Sequence, residues 1–493
     1  MTPTRRDLLR LLATMPVAVT LAACRSTSPA ETDGADGTDG TVTGSSAGPT
    51  TNTDPTNSTT GSSTGPSTSA PDAHRVPEPL AMIRTSWSAD PWARGSYSYL
   101  PVGAKPVLRA ALSQPIDGRL FIAGEATSGA APATVHGALA SGRRAADEVA
   151  AVADTKEVVA VLGAGMAGLA AARALRDEGY SVVVFEARDR IGGRVATVRS
   201  DAWPVPVELG ASWVHDIAAS DLATQLHNLA IDTATFDYDN DTTLFTGGLT
   251  QASLAKAAKA IETAIEWAND AEADLSIASA VTASSAKADP LALNHVDEVE
   301  LASEYGANAD ELSAWWGTEE GTDGDDLLVL GGYGGLADHL AVGLDIRLNT
   351  AVTDVSRLGE GVELTLAHGT LFACDRVVIT VPLAVLAAGD IRFNPPLPST
   401  HRAAIDGMGT GLLDKVWFVF PEQFWSNTSL MWTRVDEPGT PFREWYNLAP
   451  LTGKPVLLAL HGGRTAQAWA ERSDDDLRAA GLTALQQFLD AGW

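Results

Sequence analysis

Between residues 157 and 190 the pattern of apolar and polar positions changes period twice. The unbroken apolar run VVAVL (158–162) gives way to the glycine-rich GAGMAG, then to an Ala/Leu-rich stretch of helical period, then to a second unbroken run, VVVF, ending at Phe185. Short continuous runs of this kind predict strands buried on both faces, with a helix between them. VWFVF (416–420) predicts a further buried strand. Residues 221–326 read as helical and Ala-rich, with acidity rising to EEGTDGDD at 319–326. Residues 25–75 are almost entirely Ser, Thr, Gly, Pro, Ala and Asp. They cannot bury enough apolar surface to offset their chain entropy, so they predict a disordered linker spanning on the order of 40 Å.

The first residues, MTPTRRDLLRLLATMPVAVTLAAC, carry Arg5 and Arg6 ahead of an apolar run too short for a comfortable bilayer span. Residues 4–10 resemble a twin-arginine export signal, and Leu21-Ala22-Ala23-Cys24 resembles a bacterial lipobox. Residues 1–24 are thus expected to be a signal. The protein would be exported and held on the outer face of the bacterial cytoplasmic membrane only by a lipid on Cys24; the other reading of Cys24 is an incidental cysteine in a cleaved signal.

The whole chain, 493 residues with 45% hydrophobic content, has room for two globular domains. A formal charge of −28 argues against nucleic-acid binding, which needs clustered Lys and Arg. The acidity either keeps the protein soluble or concentrates cationic solutes near a cleft. Two cysteines, Cys24 and Cys374, exclude a disulfide framework and a cysteine-based metal site, and no metal is expected.

The candidate chemistry begins at Gly163-x-Gly165-x-x-Gly168, directly after the 158–162 run. The first glycine makes the turn, the second admits a pyrophosphate, and the third lets helix and strand pack closely. The helix N-terminus then offers free N–H groups to phosphate. Glu186, at the end of the second run, can accept hydrogen bonds from a ribose. Arg188, Gly192, Gly193 and Arg194 follow in EARDRIGGR; a second glycine pair beside two arginines suits a cofactor whose pyrophosphate stays bound.

This run resembles the FAD-binding start of the flavin-dependent amine oxidases, the monoamine and polyamine oxidase type. ELGASWVHD (208–216) resembles the loop beside the flavin ring, with Gly210, Ala211 and Ser212. Val352 stands where the family contacts adenine through its backbone. Motifs that close an ordinary member stand ahead of the glycine motif here: Trp87, Asp90-Pro91, Gly95-Ser96-Tyr97, Gly124-Glu125 and Thr134-Val135-His136-Gly137-Ala138. The C-terminal LTALQQFLDAGW resembles the segment that precedes Trp87 in the usual order. The resemblance therefore implies a circular permutation of the two-domain amine oxidase fold, an α/β FAD-binding domain with an α+β substrate domain. The FAD part would comprise 76–220 and 327–393, and the substrate part 221–326 and 394–493.

The resemblance also implies roles. Lys415 matches the lysine that holds a water at flavin N5, Tyr97 an aromatic wall, and His215 a tunnel residue that either bonds a distal amine or is simply structural. Glu125 would bond the ribityl chain or a phosphate, and the helix start at Thr134 and Val135 would face flavin O2. Ser96 replaces the flavin-linked cysteine of monoamine oxidases, so FAD is expected without a covalent bond; Thr134 replaces their second tyrosine. The expected reaction is oxidation of a small-molecule primary or secondary amine, including polyamines, with dioxygen as acceptor. The alternatives are an L-amino-acid oxidase or amine dehydrogenase of the same fold, or a flavin-holding surface protein without turnover. The acidic run at 319–326 either draws in polyamines or is a solvated loop.

Overall fold

The continuous apolar runs form the centre of a parallel sheet. In a computed structural model describing residues 75–318 and 324–493, Ser181–Phe185 and Arg376–Ile379 flank Val158–Leu162, with Asp345–Arg347 and Leu120–Ile122 at the edges. Val159 to Leu162 are buried, as strands covered on both faces must be. Helices Val135–Ala150 and Met166–Asp177 pack against each other beside this sheet, joining Leu139, Ala146 and Val149 to Leu169 and Leu175 in one core. Their approach is at backbone distance: a Cβ on Gly142 would come within 2.1 Å of the Ala167 carbonyl oxygen. The connection from Ala150 to Val158 is a tight turn pinned by Tyr180, whose hydroxyl donates to the Ala153 carbonyl at 3.2 Å.

Two more large sheets stand beside it, with a three-stranded sheet and two two-stranded ones among the described residues. Val352–Arg357, Val362–Leu366 and Leu371–Cys374 form an antiparallel meander, with Arg392–Asn394 added parallel to its first strand. A six-stranded sheet orders Ala81–Arg84, Leu413–Val419, Val456–Gly462, Glu444–Asn447, Met431–Arg434 and Asp241–Leu244. Ala81–Arg84 was expected with the FAD part. It forms the edge of this six-stranded sheet, with Ala81 opposite Val419. AMIR is a half-buried four-residue strand whose pattern carries no information about its partner.

Helices at 251–268, 277–283 and 290–305 cover the sheet through an Ala-rich core. The last of them contains a π-helical turn, Val296–Leu301, just before it reaches Ser303 and Glu304. Residues from 75 on form one compact unit. The signal, Cys24, residues 25–74 of the linker and the 319–323 part of the acidic run lie outside the described residues. Among the described residues no helix is long and apolar enough to cross a membrane, and no cluster of side chains could hold a metal ion.

Candidate active site

A cavity of about 590 Å³ lies where these three large sheets meet, and every candidate catalytic or cofactor-binding residue read from the sequence lines it except Gly168. Gly168 acts behind the wall. A Cβ there would stand 1.9 Å from the Gly163 carbonyl oxygen, so the third glycine sets the close contact of helix and turn. Gly163 has φ +103°, outside the range of most side chains. Gly165 faces the cavity with nothing within 4 Å of a Cβ position. Any side chain at Gly165 would fill the space a phosphate needs at the start of the Met166–Asp177 helix. Gly193, at φ +60°, packs the second turn against the first: a Cβ added there would stand 3.2 Å from the Gly165 Cα.

The acids and arginines of this end hold one another. Glu186 accepts from the Ala164 N–H at 2.7 Å and the Arg188 N–H at 2.9 Å, so it braces the glycine turn from the cavity wall near Val352. The Arg188 guanidinium donates to Asp90 at 2.5 Å, and Arg194 donates to Glu125 at 2.9 Å and to the Ser96 carbonyl at 2.7 Å. Both guanidiniums expected at phosphate are thus held by acids of the 87–125 segment. Arg190, which the sequence did not single out, shapes the turn by donating to the Ile191 and Gly193 carbonyls. The 208–212 loop rests directly on this turn: the Ala211 N–H donates to the Arg194 carbonyl at 3.1 Å, and only glycine fits at 210.

Glu125 also accepts from the Ser98 hydroxyl at 2.6 Å and the Ala133 N–H at 3.1 Å. Burial pushes its carboxyl up, but Arg194, Ser98 and Arg109 outweigh that and hold it below the usual range. The preceding Gly124 has φ +139°. Thr134 caps the 135–150 helix by accepting from the Gly137 N–H at 2.9 Å, which fixes the helix start at Val135 on the cavity wall.

At the other end stands Lys415, 3% exposed, on an interior strand of the six-stranded sheet rather than an edge. Its Nζ donates to the Gly210 carbonyl and the Ser212 hydroxyl, and lies 5.3 Å from the Trp213 ring centre. Burial lowers its pKa to about 7 against the opposing charge of Glu208. The Tyr97 hydroxyl donates to the Ser303 carbonyl at 3.0 Å. Burial first, then Glu304 and Glu444, pushes that phenol well above its ordinary value. Tyr446 lines the same region, with its hydroxyl donating to Glu444 at 2.7 Å. Glu444 in turn accepts from the Ser303 hydroxyl at 2.5 Å. His215 shares Asp326 with Tyr238: its Nδ1 lies 3.0 Å from one Asp326 oxygen. Burial pulls the imidazole down, but Asp326, helped by Glu304, outweighs it and raises the pKa.

The cavity thus joins a glycine turn at one end to a buried lysine and two tyrosines at the other. Residues 69–150, 166–291 and 308–492 match flavin containing amine oxidoreductase. The chain belongs to that family. It is similar to Polyamine oxidase 4 of Oryza sativa subsp. japonica, 33% identical over 356 residues, which cover 67% of this chain and 72% of the relative. Polyamine oxidase 2 of Arabidopsis thaliana is 31% identical over 357 residues, with the same coverage of each chain. Among solved structures, wild-type putrescine oxidase bound to putrescine shares the fold, with TM-score 0.54, 23% identity and coverage of 68% and 82%. The chain is accordingly a flavin-dependent oxidoreductase acting on amines.

Residues that the sequence did not flag also line the cavity of this amine oxidase. Tyr446, Ser303 and Glu304 come from stretches without a readable motif, and three-dimensional pairing alone brings them to Tyr97. Asp326 is the last residue of the acidic run, so that position is an internal partner of His215. The cradle at Gly165 and the donor set around Glu125 suit a flavin dinucleotide.

Proposed function

We propose that this amine oxidase oxidises diamines or polyamines, with FAD held without a covalent bond. The observation that carries the reading is Glu304, a carboxylate in the cavity wall next to Ser303, whose carbonyl takes the Tyr97 hydroxyl. Tyr97 and Tyr446 confine the reacting nitrogen between aromatic faces, which suit an amine in either charge state. Glu304 then attracts a second, cationic nitrogen further along the chain of the substrate. When bound, flavin supplies hydride acceptance from the carbon next to nitrogen and passes the electrons to dioxygen, so that imine, aldehyde and hydrogen peroxide result.

The residues here supply position and proton control. Lys415 keeps its amine against Gly210 and Ser212, on the loop expected beside the flavin ring, and exchanges a proton near neutral pH. Ser96 is engaged with the Leu413 backbone, its hydroxyl donating to the carbonyl at 3.0 Å and accepting from the N–H at 2.8 Å; a serine there offers no thioether to a flavin. Against an L-amino-acid oxidase, the three arginines lining the cavity, Arg94, Arg188 and Arg194, are each paired with an acid, Asp390, Asp90 or Glu125. Among the described residues, no arginine other than these three lines the cavity to receive a substrate carboxylate. The permuted chain order and lipid-anchored export belong to the same proposal. The order is supported by Leu120–Ile122 pairing beside Arg376–Ile379, and by the Val76 N–H donating to Gln486 at 3.0 Å near the chain end.

The test is peroxide release by the purified protein with putrescine, spermidine, tyramine and L-leucine, together with acid release of the flavin. Turnover of spermidine or putrescine well above tyramine, with free FAD in the supernatant, is the expected result. L-leucine as the best substrate, or flavin retained in the pellet, would contradict it.

A further inference from the structure

Arg109 lies on the short helix Val107–Leu112, outside every motif, and is completely buried. A guanidinium withdrawn from water has to be matched by acceptors, so its partners reveal its task. Its Nη1 donates to the Ser98 hydroxyl at 2.7 Å and to the Ala126 carbonyl at 3.3 Å. The Ser98 hydroxyl passes a hydrogen bond on to Glu125 at 2.6 Å, while Arg194 holds the other Glu125 oxygen at 2.9 Å. The carboxylate is therefore clamped between two arginines, one directly and one through a hydroxyl. Ser98 is also the middle residue of the strand Tyr97–Tyr99, which pairs with Gly409–Gly411 and carries the aromatic wall Tyr97. Ala126 belongs to the turn that follows Gly124.

We infer that Arg109 is a positioning residue for both halves of the site, fixing through Ser98 the Glu125 carboxylate on the cofactor side and the Tyr97 strand on the amine side. An arginine that merely filled space would touch neither wall. Arg109 instead lies one hydrogen bond from the residue after Tyr97 and two from Glu125. Its charge favours ionised Glu125 beside Arg194, and its Nη1 ties the 125–127 turn to the 97–99 strand. The inference rests on flavin occupying the cavity.

The test uses full-length protein carrying Arg109→Met, Arg109→Lys, Glu125→Gln or the double change Arg109→Met/Glu125→Gln. FAD binding to the apoprotein is titrated by quenching of flavin fluorescence, and KM for putrescine is measured separately from kcat. Arg109→Met is expected to weaken FAD binding roughly tenfold or more, the factor carried by hydrogen bonds to a charged group. It should also raise KM. Arg109→Lys, which keeps the charge but ends one atom short of Nη1 and so cannot reach Ser98 and Ala126 in the same geometry, should fall between wild type and Arg109→Met. In the double variant the two losses should not multiply, because both act through one carboxylate. Multiplying losses, or FAD affinity within twofold of wild type in Arg109→Met, would overturn the inference. If Arg109→Met does not fold, Arg109→Lys decides: wild-type FAD affinity in that variant contradicts the role. Wild-type protein that binds no FAD would instead remove the flavin reading of the cavity itself.

Discussion

Lys415 is buried among a carbonyl, a hydroxyl and an indole ring, none of which can neutralise its charge. That surrounding, more than any single contact, brings its pKa from 10.5 to about 7. Below pH 7 the amine is a cation and above it a base. The kcat/KM for a diamine should therefore show a rising limb centred near 7, measured as peroxide release across pH 5.5 to 9. Lys415→Met should remove that limb while flavin stays bound; the same limb in the variant would mean another group titrates. The depressed value also has a stability consequence. Between pH 7 and 10.5 the unfolded chain binds a proton at Lys415 that the folded chain does not, so this contribution to stability rises with pH and is least favourable below 7. Lys415→Met should accordingly have a higher urea midpoint than wild type at pH 6, with the gap closing towards pH 10. Glu304 acts at the same scale. Glu304→Gln should raise KM for putrescine by about tenfold or more, the loss typical of a desolvated charge pair, and leave KM for a monoamine nearly unchanged. Equal effects on both substrates would refute its role with the second nitrogen.

At the scale of elements, the helices 135–150 and 166–177 join the Thr134 cap to the glycine cradle, and they do so through small residues. Gly142 lies against the Ala167 backbone, so Gly142→Ala must push the two helices apart. The variant should lose about 1–3 kcal/mol of stability, the usual cost of overpacking, and should release flavin more readily on heating. Gly129→Ala, where a Cβ meets nothing within 4 Å, serves as the control and should melt like wild type. Differential scanning with flavin fluorescence reads both. The same elements show what was legible in the sequence. The parallel sheet was readable because strands covered on both faces are apolar throughout, and the glycine cradle because its steric demands leave only one residue type. The edge strand 81–84 was not, since a four-residue half-buried strand does not name its partner. Tyr446 and Glu304 were not either: nothing local distinguishes a tyrosine on an interior strand, or a glutamate beyond a π turn, from their many equivalents. Partner choice across hundreds of residues is set by packing, and periodicity does not record it.

For the whole molecule the decisive feature is where the proposed old and new joints lie. Val76 packs in the same apolar cluster as Phe488 and Trp493, and its N–H bonds Gln486. Val76 and the C-terminal residue are therefore neighbours that a few added residues can connect. The connection at 151–157 is short and largely exposed, and Glu157 closes a turn back on Asp154 at 2.9 Å. Opening it removes little packing, although Glu157 also pairs with Arg376 at 2.7 Å and should be kept with the strand it precedes. A chain re-ordered as residues 157–493, a short Gly/Ser linker and residues 76–150 should then fold to the same sheets, because every strand pairing is retained. Exchanging one short closure for another alters the loop entropy by well under about 1 kcal/mol. The re-ordered protein is expected to bind FAD with the absorbance spectrum of the natural order, melt within a few degrees of it, and oxidise the same amine. Insoluble protein, or soluble protein that binds no flavin, would mean that the natural order contributes more than connectivity and that the permutation reading fails.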